Sequence, residues 1–276
     1  NYQRYGGAGI LNQNILTISG STITNNSLYG YDYYGSGGGI DNHGALTITG
    51  SNIINNDVYA YYGGGGGGIS STGGTVTILD SVVSGNWAGG DCAYGGGVLI
   101  DSDSSLAVDT STFSGNGAVG YDCGAWGGGI ASYGSATIND STFNANYAVT
   151  SYEAYGEGGA ISNDFPGLMT ITNSTLSANE ADYSAGGLIN EHDATITNTT
   201  ITGNLNGGVG AECFYEDSIT RFRRAIISGN TGSEVSLDHG PDCSIGVVAN
   251  KHNVFGRNGN AGLIGFSPGA TDIVPA

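Results

Sequence analysis

Apolar residues recur along this chain at fixed places in a repeated phrase that ends each time in asparagine. Ser21-Thr-Ile-Thr-Asn-Asn26 is the first full copy, and its last residue is echoed by Asn56, Asn86, Asn116, Asn146, Asn179, Asn204 and Asn230. The first four steps are 30 residues and the later ones 33, 25 and 26. Three positions before each asparagine stands Ile23, Ile53, Val83, Phe113, Phe143, Leu176, Ile201 or Ile227. Earlier in the unit come apolar pairs separated by one polar residue, as in Leu16-Thr17-Ile18-Ser19 and Leu46-Thr47-Ile48-Thr49. A two-residue alternation predicts a strand with one face inward. A second strand is predicted at Gly-Gly-Gly-Ile40 and its equivalents at Ile10, Ile69, Val98, Ile130, Ile161 and Leu188. Nothing has the apolar spacing of a helix.

Units of this size cannot bury an apolar face alone, so they stack, each strand pairing in parallel with its copy about 4.8 Å away. The pattern predicts an all-β, single-stranded parallel β-helix of about eight coils, each with two or three short strands. It forms one domain over 1–276, with coils over 6–250 and a closing segment over 251–276. The asparagine column is expected to be architecture, a ladder of amides bonding above and below. Asparagine also tolerates the left-handed backbone of a turn. Ser21, Ser51, Ser81, Ser111, Ser141 and Ser174 form a second column.

Two phrases carry a resemblance: Gly158-Gly-Ala-Ile161, and Phe113-Ser-Gly-Asn116 with Phe143-Asn-Ala-Asn146. Together they resemble the repeats of chlamydial polymorphic outer-membrane proteins, and more widely those of bacterial secreted right-handed β-helix proteins. The tail from His252-Asn-Val-Phe-Gly256 to Ile273 is similar to the segment that closes the coils in many of the latter. The resemblance implies a right-handed β-helix exported to the cell surface, with adhesion or surface architecture as its role.

Charge narrows the partners. Six basic residues against 24 acidic ones give a net charge of −18, and no Lys or Arg lies between Arg4 and Arg221. Nucleic acid and anionic membrane surfaces are therefore poor partners. No apolar run is long enough to span a membrane as a helix. The four cysteines fall in two pairs of neighbouring coils, which predicts Cys92–Cys123 and Cys213–Cys243 disulfides and an oxidising, extracellular setting.

Between each asparagine and the next glycines lies an insertion, expected as a long Tyr/Gly/Asp loop. These loops hold 13 of the 17 tyrosines. Tyr31, Tyr33, Tyr34, Tyr59, Tyr61, Tyr62, Tyr94, Tyr121, Tyr152 and Tyr155 are the surface aromatics predicted to share one side of the rod, where glycans are candidate partners. Asp32, Asp57, Asp91, Asp122, Glu153 and Glu157 accompany them as candidate calcium ligands, calcium being the one cofactor considered. In the eighth coil Arg221, Arg223 and Arg224 form a basic cluster suited to another copy's acidic body, and predict head-to-tail assembly into a homopolymer.

Catalysis is not expected. Lyases of acidic polysaccharides need a basic residue and cations, and the first seven coils hold no Lys or Arg. Glycoside hydrolases need grouped carboxylates, whereas the acids here read as one or two per loop. The expected function is a non-catalytic extracellular structural or adhesive β-helix, with polysaccharide binding or degradation as the alternative.

Overall fold

A computed structural model of the chain describes residues 5–30, 34–152, 155–213, 216–239, 243–249 and 251–276. Its described residues contain no helix, and their strands stack as a parallel β-helix of four sheets. One coil shows the order. Ile40–Asn42 belongs to a glycine-led sheet, Ala45–Thr49 to a threonine sheet and Asn52–Ile54 to a short sheet. Asp57–Ala60 and Gly63–Gly65 then return through a fourth, aromatic sheet. Pairing holds residue for residue: Thr75–Leu79 matches Ala45–Thr49 in the coil before and Ser105–Asp109 in the coil after.

The fourth sheet departs from the expected loops. Trp87–Tyr94, Gly117–Trp126, Tyr147–Thr150 and Tyr155–Glu157 are strands, so Tyr59, Tyr94, Tyr121 and Tyr155 sit on ordered rungs. Tyr61, Tyr62 and Tyr152 lie in turns beside them. Insertions of nearly equal length start at the same corner of each coil, so their backbones meet in register. Tyr and Trp favour such a pleated, half-buried surface. Ring stacking supports the rungs: Tyr29 and Tyr59 lie 4.8 Å apart at 17°, and the rings of Tyr59 and Trp87 are parallel. A small second core of Ala93, Ala118, Ala125 and Ala148 fills the space beneath. Gly67 shows why glycine leads each coil here, since a Cβ on it would lie 2.3 Å from the Trp87 carbonyl oxygen.

The main core consists of the columns read from the sequence. Ile48, Ile78, Ile138 and Ile171 in the threonine sheet and Ile53, Val83, Phe113, Phe143 and Leu176 in the short sheet are all fully buried. Phe113 and Phe143 stack at 4.7 Å and 15°. Each ladder asparagine donates through Nδ2 to the Oδ1 of the next, from Asn26 to Asn230, at 2.8–3.0 Å. The second Nδ2 hydrogen goes to a backbone carbonyl, as from Asn116 to Val83 at 2.9 Å. The left-handed conformation, however, belongs to the residue before each ladder asparagine: Asn25, Asn55, Gly85, Gly115, Ala145, Ala178, Gly203 and Gly229. That corner residue turns the chain, which frees the asparagine to point inward.

The serine column is a second ladder, each backbone N–H donating to the next hydroxyl, as from Ser81 to Ser111 at 3.1 Å. A third, interrupted ladder is formed by Asn12, Asn42 and Ser71, and again by Asn163, Asn190 and Thr220. At the corner before the serine column Thr110 has φ 50°, where Gly20 and Gly50 stand in the first two coils. A β-branched residue is strained there. Thr110→Gly is expected to raise stability by about 1 kcal/mol, seen as a higher urea midpoint with unchanged slope.

The C-terminal segment closes the stack. Glu234 ends the asparagine ladder, accepting from Asn230 Nδ2 at 2.6 Å and from the Gly229 and Asn230 N–H groups. Asn253, bonded to Asp272, ends the serine ladder by accepting the Ala225 N–H at 2.9 Å. Phe255 meets Phe222 and Phe266 edge to face over the last core layer. This segment still supplies rungs, since Val254–Phe255 and Leu263–Ile264 pair with the coil before them. A homopolymer whose coils ran on from copy to copy would have to displace it.

Both expected disulfides are formed, Cys92–Cys123 and Cys213–Cys243, with Cα atoms 4.9 and 6.1 Å apart. They point to folding in an oxidising compartment. No helix among the described residues is long and apolar enough to cross a membrane.

Candidate functional site: an aromatic and acidic groove

A groove follows the side of the rod where the aromatic sheet turns into the glycine-led sheet. One column along its wall reads Ser36, Gly65, Tyr94, Trp126, Glu157 and Ser184, each on the rung after the last. Tyr94 and Trp126 stack at 5.0 Å and 10°, and two recesses adjoin at this pair. The N-terminal recess holds about 200 Å³, floored by Gly63, Gly64 and Gly65 and walled by Tyr34, Tyr94 and Tyr133. Ser70, Thr72 and Asp101 place polar groups at its edge. The C-terminal recess holds about 390 Å³ and is lined by Trp126, Tyr155, Tyr183 and the acids Glu157, Glu191, Glu212 and Asp238. Tyr155 and Tyr183, both about half exposed, meet edge to face at 4.6 Å above it.

Apart from Glu157, the acids come from another column, the residue that follows each strand of the glycine-led sheet or extends it. Strand register places Asp164 beside Glu191, Glu191 beside Glu212, and Glu212 opposite Asp238. Successive rungs are about 4.8 Å apart. Two like charges at that distance repel by about 3 kcal/mol at an effective dielectric constant of 20. Arg221 does not offset them, since it pairs with Asp193 at 3.5 Å. Burial, with the neighbouring Glu157, Glu191 and Asp238 charges, pushes Glu212 up to about 8, the Ser184 hydroxyl opposing. Asp164 and Glu191 are raised together, chiefly by burial and then by neighbouring carboxylates. Burial also raises Glu157, although the Trp126 indole N–H donates to it at 3.1 Å and pulls the other way. Tyr94 is pushed up to about 12, and Tyr133 is raised further, by burial and then by the charge on Asp164.

Asp164 is the deepest of the acids. Its Oδ1 accepts the Ser162 hydroxyl at 2.8 Å, while Oδ2 is buried with no hydrogen-bond partner among the described residues. Raised by burial, Glu212 and its neighbours hold protons more readily than exposed carboxylates do, so the walls of the groove can both donate and accept.

This grouping corrects the expectation that carboxylates are spread one or two per loop. The column lies three positions after the apolar residue of the glycine-led strand: Asp101 after Val98, Tyr133 after Ile130, Asp164 after Ile161, Glu191 after Leu188, Glu212 after Val209 and Asp238 after Val235. A fixed offset from an already recognised column was the signal that would have found it.

Of the candidate calcium ligands, only Glu157 reaches the groove. Asp57 accepts the Ser27 hydroxyl, and Asp91 and Asp122 lie on the aromatic sheet. Asp32 and Glu153, like Tyr31 and Tyr33, lie outside the described residues. No group of three or more His, Cys, Asp or Glu among the described residues is arranged to hold a metal ion. Arg223 and Arg224 line a separate hollow with Lys251 and His252.

Compared with protein families, curated proteins and solved structures, the chain matches no family model, no curated protein and no solved structure.

Proposed function

We propose that this protein is an extracellular glycan-binding β-helix, acting at a cell surface, whose groove receives a chain of sugar rings. The observation that carries the proposal is the stacked pair Tyr94 and Trp126 at the junction of two adjoining recesses, with acids and hydroxyls along the same groove. Pyranose rings present apolar C–H faces to aromatic rings, and hydroxyl groups that both donate and accept. A wall of tyrosine, tryptophan and carboxyl groups offers partners for both. The net charge of −18 disfavours polyanionic chains and leaves neutral or cationic glycans.

Titration calorimetry with neutral oligosaccharides tests this reading. Tyr34→Ala and Tyr155→Ala are the suitable variants, because both rings are about half exposed. Each is expected to weaken binding roughly 2- to 12-fold, at about 0.5–1.5 kcal/mol per aromatic contact. Unchanged affinity in both variants, or no binding by the parent protein, would defeat it.

A further inference from the structure

The C-terminal recess differs from the N-terminal one in its charge, and the difference names a class of sugar. Glu157, Glu191, Glu212 and Asp238 line it with Trp126, Tyr155 and Tyr183, and no Lys, Arg or His among the described residues lines it. Asp164 adds a fifth carboxyl one rung away, its Oδ2 buried and without a hydrogen-bond partner. Buried carboxylates are normally matched by a cation or by hydrogen-bond donors. Here the chain supplies neutral donors only: the Trp126 indole to Glu157, the Ser162 hydroxyl to Asp164, the Ser184 hydroxyl to Glu212 and the Phe165 backbone to Glu191. A metal ion is not what the geometry suits, since the described acids do not converge as a coordination set. Acids spaced along a column, rather than around a point, suit a row of ammonium groups. Each ammonium carries three donors on a compact charge, and the adjacent rings are the side chains that attract cations to their faces.

We propose that this recess selects amino sugars bearing free ammonium groups, so that the preferred ligand is a polysaccharide containing unacetylated hexosamine. The inference rests on the glycan reading of the whole groove and adds the substrate class. Acetylation of the amine removes its charge and two of its three donors, and would leave the acids of the column without a countercharge.

Three ligands of equal length distinguish the outcomes: a glucosamine oligomer, its N-acetylated counterpart and a glucose oligomer. Titration at neutral pH is expected to show the glucosamine oligomer binding about 10- to 100-fold more tightly than the other two, as charge-assisted hydrogen bonds require. The advantage should shrink with added salt, and should fall as the pH is lowered from about 8, because Glu212, pushed up to about 8 by burial and its neighbours, takes up its proton there. The double variant Glu191→Gln and Glu212→Gln, which keeps the side-chain shapes, should lose the preference while still binding the glucose oligomer. Trp126→Ala should weaken all three. Equal affinity for the glucosamine oligomer and its acetylated form, with glucose bound, would overturn the amino-sugar inference alone. So would a preference that survives the double variant. Failure to bind any of the three would sink the glycan reading together with it.

Discussion

The thermal midpoint of this protein should be highest near pH 5 and fall by roughly 5–10 °C as the pH rises to about 8.5. The cause is the acidic column. Glu212, Glu191 and Asp164 all have folded-state values raised by burial and by one another. The sign follows from proton counts. Below about pH 4.5 these groups are protonated in both states and carry no penalty. Between there and about 8 the unfolded chain releases its protons while the folded one retains them, so stability falls as pH rises. Above about 8 both states are ionised and the whole penalty is present, on the order of 2–4 kcal/mol for the cluster. Glu191→Gln with Glu212→Gln should flatten the curve and raise the midpoint at pH 8.5, leaving it nearly unchanged at pH 5. General repulsion within a chain of charge −18 also weakens on acidification, but two substitutions among 24 acids would hardly alter that contribution. A pH profile with the same slope in parent and double variant would refute the assignment.

The largest loss from a single substitution is expected at the centre of the asparagine ladder. Asn116→Ala removes four hydrogen bonds at 2.9–3.1 Å: two received by Oδ1 from Asn86, and two donated by Nδ2 to Val83 and Asn146. Asn86, Asn116 and Asn146 are all essentially inaccessible to water, so the orphaned groups find no replacement. At about 1–3 kcal/mol for each buried unmatched group, the loss should reach about 4–6 kcal/mol. Asn26→Ala is the control. Asn26 is only partly buried at the first rung; its Nδ2 bonds to Asn56 and Thr24 are lost, but its backbone N–H still donates to Asn56 Oδ1, which keeps a partner. About 1 kcal/mol is expected there. Because a solenoid is held by neighbour contacts, Asn116→Ala should also broaden the urea transition as the coils on either side begin to unfold separately. Equal losses in the two variants would mean that the ladder is ornamental.

The repeat was legible in the sequence because coil-to-coil pairing forces like residues into like places. Ile48, Phe113, Asn116 and Ser111 each occupy a position whose surroundings are made by copies of itself. Their period therefore announced the stacked inward-facing strands, the asparagine and serine columns and the two disulfides before any coordinate. Three things depended on the tertiary structure. Whether the tyrosine insertions pair as strands was decided by how the corners of successive coils line up, as with Tyr94 under Trp126. The left-handed residue could not be told from its ladder neighbour, since Asn25-Asn26 and Asn55-Asn56 are paired asparagines and only the backbone shows which one turns. The groove was the least visible. Glu157 and Glu191 lie 34 residues apart in different parts of their units, so no local motif joins them. They meet because winding brings the edge of one sheet against the start of the next, and burial there turns scattered acids into one electrostatic site.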